Sequence, residues 1–185
     1  MTYYGGKELA ASFRTVRANT LKIAQEIPEE KYGFRPAEGT RTVGEILAHI
    51  AFASKFVEQV TFVEKRSTLE GFDFMSFMGG LMAEQAKPRT KAEIIALLTA
   101  QCDEFSKKLE SAPEDLLAES VTAPPGAQPP SRTRFDMLAS VKEHEMHHRG
   151  QLMLIERMLG ITPHLTREMQ ARMAAMQAQA AASQK

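Results

Sequence analysis

Three of the five histidines of this chain fall within one short run, His144-Glu145-Met146-His147-His148, followed by Arg149-Gly150-Gln151. On a helix, residues four apart share a face, so His144 and His148 can offer their rings to one metal ion. His147 is turned about 100° from His148 and leaves that face. A third histidine, His49, lies far upstream in an otherwise apolar stripe. Three neutral imidazoles suit Zn²⁺, Ni²⁺, Cu²⁺ or Fe²⁺. With an open coordination position, such a metal lowers the pKa of a bound water or activates a thiolate. The bland alternative is three hydrogen-bonded core histidines, but burying three polar rings with no metal is costly.

The elements that must position these rings follow from periodicity. Leu9, Phe13, Val16, Thr20, Ile23 and Ile27 alternate at four and three, which predicts a helix from about Lys7 to Ile27, ended by Pro28. A second helix begins at Thr40 or Thr42; Thr42 with Glu45 fits a capping box. Its seam reads Ile46, His49, Ala53, Phe56, Val60 and Val63. The connection from Ser67 to Pro88 is long and apolar, so it should pack, with Gly79-Gly80 as an interruption. A connection of that length can cross a bundle and let the next helix run parallel to the last. The third helix follows Thr90 and buries Ile94, Leu97, Leu98, Gln101, Phe105 and Leu109; Pro113 lies past its end. Ala123 to Pro130 is too rich in proline for helix or central strand. The fourth helix runs from about Thr133 to Leu159, ends at Gly160, and carries Met137, Val141, His144, His148, Gln151 or Leu152, Ile155 and Leu159 on its seam. No strand pattern persists. The fold class is therefore all-α: a four-helix bundle over residues 1–163 with a long crossover between helices 2 and 3, and a helical or frayed extension over 164–185.

Composition narrows the function. The 185 residues carry 23 Lys and Arg against 23 Asp and Glu, a formal net charge of zero. A dedicated nucleic-acid binder would show a basic excess, and an anionic membrane surface would find no partner here. Cys102 is the single cysteine, so an intrachain disulfide is excluded; a small buried hydrophobe is its expected role, with a fourth metal ligand as the alternative. The N-terminal residues lack a signal-peptide pattern, and no apolar run approaches a bilayer span. These readings point to a cytoplasmic protein.

Arg41 to Ala51, Arg-Thr-Val-Gly-Glu-Ile-Leu-Ala-His-Ile-Ala, resembles the second-helix signature of the DinB/YfiT-like family, and His144 to Leu152 resembles its last-helix signature. The resemblance spans Leu9 to Gly160. It implies a four-helix bundle, commonly a homodimer, with a divalent metal, zinc or nickel, held by His49, His144 and His148. It leaves the reaction open: some relatives are thiol S-transferases or thiol-dependent isomerases using low-molecular-weight thiols. The leading expectation is a metal-dependent transferase or hydrolase acting on a small molecule. The alternative is a non-enzymatic metal-binding stress-response bundle. Gln151 and Glu45 are the candidates to orient the ligand imidazoles.

A third reading uses the same residues. His144-Glu145-x-x-His148 matches the zinc-protease motif, with Glu145 as base and Glu168 as a further ligand. Against it, Gly160 and Pro163 intervene, position 154 is leucine, and no upstream strand could hold a peptide. In the bundle reading Glu145 is a surface or ligand-orienting carboxylate. Arg149 is expected to pair with a surface carboxylate, and His164 to lie at the surface. Met169, Met173 and Met176 could form a dimer stripe.

Overall fold

The computed structural model describes residues 4–183; Met1, Thr2 and Tyr3 at one end of the expected bundle and Gln184 and Lys185 at the end of the extension lie outside them. Four helical stretches make the bundle. The first is α1 (Gly6–Glu26). The second is built of α2 (Val43–Phe52), α3 (Lys55–Glu58) and a π-helical turn (Gln59–Val63). The crossover contains α4 (Phe74–Gln85), then α5 (Lys91–Glu110) and the short α6 (Glu114–Ala118) follow. The last bundle helix is α7 (Arg134–Met158), and α8 (His164–Ala182) forms the extension.

The caps read from sequence hold the starts of these helices. Thr42 accepts from the Glu45 amide and Glu45 from the Thr42 amide, at 3.2 and 2.6 Å. Thr90 and Glu93 repeat the arrangement on α5. Thr133, not part of a reciprocal box, accepts from the Asp136 amide. At the other end of α7, Gly160 adopts φ 78°, the left-handed conformation that closes a helix and that glycine reaches without steric cost.

Two apolar clusters set the topology. One joins Leu9 and Phe13 of α1, Val60, Phe105 and Leu109 of α5, and Met137 to Val141 of α7. The other joins Ile23 and Ile27 of α1, Ile46 and Ile50 of α2, Ile94 and Leu98 of α5, and Leu152 and Ile155 of α7. The start of α1 thus shares an end of the bundle with the end of α5 and the start of α7. It follows that α1 and α7 run one way, and α2 and α5 the other. Helix α1 packs on α5 and α7, as does α2, which puts α1 and α2 on a diagonal. The parallel pair α2 and α5 is what the long crossover permits. Gly6 allows the closest approach: a Cβ there would stand 2.3 Å from the Leu109 carbonyl oxygen.

Four local expectations fail. Gly79-Gly80 lie inside α4 and do not interrupt it, because the apolar side chains around them still cover one side of α2. The second helix is not continuous: regular α geometry stops at Phe52 and resumes at Lys55. A small hairpin, β1 (Ser120–Thr122) and β2 (Ser131–Thr133), flanks the proline-rich loop; three residues per strand are too few to leave a period-two signal. Finally, Val43–Val63 is long and apolar enough to span a bilayer, contrary to the expectation above, but most of it is packed inside the bundle, as in a core helix.

Candidate metal centre

Helices α2 and α7 face each other across the bundle, and His49, His144 and His148 meet there. His144 Nε2 lies 3.0 Å from His49 Nε2 and 3.2 Å from His148 Nε2. The three candidate ligand atoms all fall within 4.8 Å of one another, and this is the one such group among the described residues. Two donors each about 2.0–2.1 Å from a single ion at near-tetrahedral angles would stand roughly 3.3 Å apart. The two spacings that involve His144 are close to that value.

The outer nitrogens explain why the inner ones converge. His49 Nδ1 is 3.0 Å from Gln85 Oε1, and His148 Nδ1 is 2.8 Å from Gln151 Oε1. An amide oxygen only accepts, so each Nδ1 carries the proton and each Nε2 presents a lone pair inward. The Gln151 amide nitrogen sits 3.3 Å from His147 Nε2, which fixes the direction of its oxygen. His147 is therefore off the cluster, as its helical position requires, yet holds the residue that orients His148. His144 Nδ1 is buried with no partner among the described residues. Whichever nitrogen of His144 bears its proton, a lone pair of the cluster stays unmatched, and a bound cation would satisfy it.

All three rings are held neutral at pH 7. Burial pushes the His144 pKa down to about 4, with the neighbouring His148 and His49 adding to it. Burial also lowers His49 and His148, each partly offset by its glutamine. Neutral imidazole is the form that binds metal. The cluster adjoins a cleft of about 520 Å³ bordered by Pro36, Gly39, Thr40 and Arg41 and by one face of α7.

The structure places the other sequence candidates as follows. Gln151 touches His148. Glu45 does not touch His49; its carboxylate is taken by the Thr42 cap and by Arg35 at 3.1 Å. The partner of His49 is Gln85, at the end of α4, a residue that helical periodicity had no means of selecting because it lies in the crossover. Glu145 is neither at the surface nor at the cluster. It is 0% exposed and grips Arg17, whose Nε is 2.9 Å from Oε1 and whose second guanidinium nitrogen is 2.9 Å from Oε2. Arg17 also donates to the Leu98 carbonyl at 2.7 Å. A carboxylate so held cannot be the base of a zinc protease, and Glu168 pairs with Lys22 at 2.8 Å, away from the cluster. Cys102 is buried beside Ser106, and burial raises its thiol pKa. His164 is not a surface residue: it is 1% exposed, its Nε2 3.1 Å from Asn19 Oδ1. Arg149 makes no ion pair among the described residues. Met169, Met173 and Met176 are exposed on α8.

The profile of the DinB superfamily matches residues 12–152. No curated protein matches. Among solved structures, a DinB-like protein of Bacillus subtilis, YjoA, aligns with a TM-score of 0.62 at 21% identity, over 84% of this chain and 93% of its own. YfiT of Bacillus subtilis, described as "a probable metal-dependent hydrolase with an unusual four-helix bundle topology", aligns with a TM-score of 0.65 at 14% identity, over 88% of this chain and 91% of its own. At these identities the likeness is one of fold.

Proposed function

The chain belongs to the DinB superfamily, whose profile covers most of its length, and on that footing we propose that it is a metal-dependent enzyme acting on a small molecule. His49, His144 and His148 would hold a divalent transition metal, zinc or nickel. The observation that carries this reading is the convergence of three imidazoles, with His144 Nε2 at 3.0 and 3.2 Å from the Nε2 atoms of His49 and His148, while the opposite nitrogens of those two rings are tied to glutamine oxygens. Such an ion supplies Lewis acidity and a lowered pKa for a ligating water or thiol.

The protein's own residues do the rest. Gln85 and Gln151 fix ring orientation and tautomer, which keeps the lone pairs aimed at one point. Three nitrogen donors leave room in a four-coordinate shell for a water, a low-molecular-weight thiol or a substrate atom. The adjoining cleft gives a small molecule access, and its volume falls in the range usual for ligand sites, roughly 300–1,000 Å³. A metal buried for structure alone would need no such approach, which favours the enzyme over the non-enzymatic stress-response bundle. Hydrolysis and thiol S-transfer both fit this donor set.

The test is to strip the protein of metal, reload it with Zn²⁺ or Ni²⁺, and screen activated esters, amides and electrophiles with and without a set of low-molecular-weight thiols. Turnover that needs metal and is lost in His148→Ala supports the reading. Failure to take up either ion sinks it. The same reading includes a twofold homodimer. Exposed Met75 and Met82 on α4 and Met169, Met173 and Met176 on α8 offer the apolar surface. Sedimentation at micromolar concentration decides it; a clean monomer removes the dimer, and truncation after Pro163 tells whether α8 contributes.

A further inference from the structure

The cleft beside the imidazoles has an uneven charge. Its walls include Pro36, Arg41, Ile46, His148, Gln151 and Ile155, and no carboxylate lines it. Arg41 is exposed on that wall and makes no hydrogen bond or ion pair with any described residue, whereas Arg35 nearby is matched by Glu45 at 3.1 Å. Arg41 and His148 line the same cleft. Of the two acids within four residues, Glu45 is committed to its cap and to Arg35, and Glu38 makes no ion pair with Arg41 and is not among the residues that line the cleft. The guanidinium therefore stands on the wall of the cleft that His148 lines, with its fork of donors unused by any described residue.

We propose that Arg41 is the specificity residue of this site and that it takes the carboxylate of a small substrate with an apolar body. Apolar contact would come from Ile46, Ile155 and Leu154. A carboxylate is favoured over a phosphate because the other donors here are occupied. The Val43 amide donates to the Phe34 carbonyl at 3.1 Å and the Gly44 amide to the Tyr32 carbonyl at 2.9 Å. The Thr42 and Glu45 amides are closed in the capping box. The start of α2 thus offers no free row of N–H groups to cradle a phosphate dianion, and the wall has no second cation. One planar guanidinium matches one planar carboxylate with two parallel hydrogen bonds. The inference rests on the metal-enzyme reading for what happens next to the bound carboxylate, but binding at Arg41 can be measured without it.

The experiment titrates benzoate, phenylacetate and hexanoate, with the neutral benzamide as control, into metal-free and zinc-loaded protein by calorimetry. At least one carboxylate should bind in both forms and bind better than benzamide. Arg41→Gln should weaken that carboxylate about tenfold or more, Arg41→Lys should weaken it less, and neither should change benzamide. Zn²⁺ uptake, measured in the same preparations, should persist in Arg41→Gln. Carboxylate binding that survives Arg41→Gln, carboxylates that bind no better than benzamide, or no binding by any carboxylate overturns the proposal. Loss of Zn²⁺ uptake by wild type with carboxylate binding intact would instead overturn the metal reading and leave this one standing.

Discussion

His144 and Glu145 are chain neighbours on α7, and they build opposite kinds of polar cluster. His144 turns to the interface with α2 and meets two imidazoles, its Nε2 at 3.0 and 3.2 Å from theirs. Glu145 turns into the bundle and meets Arg17, which closes both carboxylate oxygens and still reaches the Leu98 carbonyl. In one cluster the donors and acceptors cancel. In the other they are held in mismatch by glutamines on the far side of the rings. A satisfied buried pair fixes how α7 is rotated against α1; an unsatisfied, convergent set calls for a ligand. The polarity of a buried group thus says little about its use until its partners are counted.

The comparison can be broken from the structural side first. Arg17→Ala leaves the Glu145 carboxylate buried and unpaired, and should cost about 3–5 kcal/mol of folding stability. Urea unfolding measures this; a loss below about 1 kcal/mol would show that the pair is relaxed or hydrated. Replacing both residues by apolar ones of similar volume should recover much of the loss.

On the other side, His148→Ala should leave the metal-free protein folded and weaken Zn²⁺ binding by roughly 2.5–4 kcal/mol, taking about 10–16 kcal/mol for a four-ligand zinc site divided among its ligands. Competition with a chelator of known affinity gives the number. Affinity unchanged by His148→Ala, His144→Ala and His49→Ala together would remove the ligand assignment.

A third polar group sharpens the contrast. Glu156, farther along α7, is 0% exposed and neither of its carboxylate oxygens has a partner among the described residues. Burial, and then the charge of Glu26, raise its pKa to about 7, with Arg167 and Arg157 opposing. The folded state therefore holds this proton where the unfolded chain, at about 4.5, has lost it. Its stability contribution is undiminished below about pH 4.5 and falls as pH rises towards 7. From pH 5 to pH 8 the wild type should lose roughly 3 kcal/mol relative to Glu156→Gln. Parallel stability curves for the two proteins would show that Glu156 is solvated after all.

The orienting glutamines should have a smaller effect. Gln85→Ala or Gln151→Ala frees an imidazole to rotate and should cost tenfold to a hundredfold in metal affinity, about 1.4–2.7 kcal/mol. Glu45→Ala, which loses only a cap and a surface pair, should leave affinity alone and cost about 1 kcal/mol of stability. An equal effect of Glu45 and Gln85 on Zn²⁺ affinity would undo the distinction drawn between them.

What could be read beforehand was whatever repeats with the period of a helix or is carried by adjacent residues. The seams of α1, α5 and α7, the boxes at Thr42 and Thr90, the stop at Gly160 and the pairing of His144 with His148 are all of this kind. So was the placing of His49 on the buried face of α2. Spacing along one helix is fixed by 3.6 residues per turn, so the chain alone decides which side chains share a side.

What the sequence did not contain was the identity of partners across elements. That Gln85 rather than Glu45 would hold His49, and that Glu145 would enter the core to meet Arg17, depend on which faces of α1, α2, α4 and α7 come together. His164 is the same case: a histidine after a proline reads as surface until Asn19 of α1 closes over it. A buried polar residue and an exposed one have the same letter. Only the fold supplies the partner that makes burial tolerable, or withholds it and leaves a site.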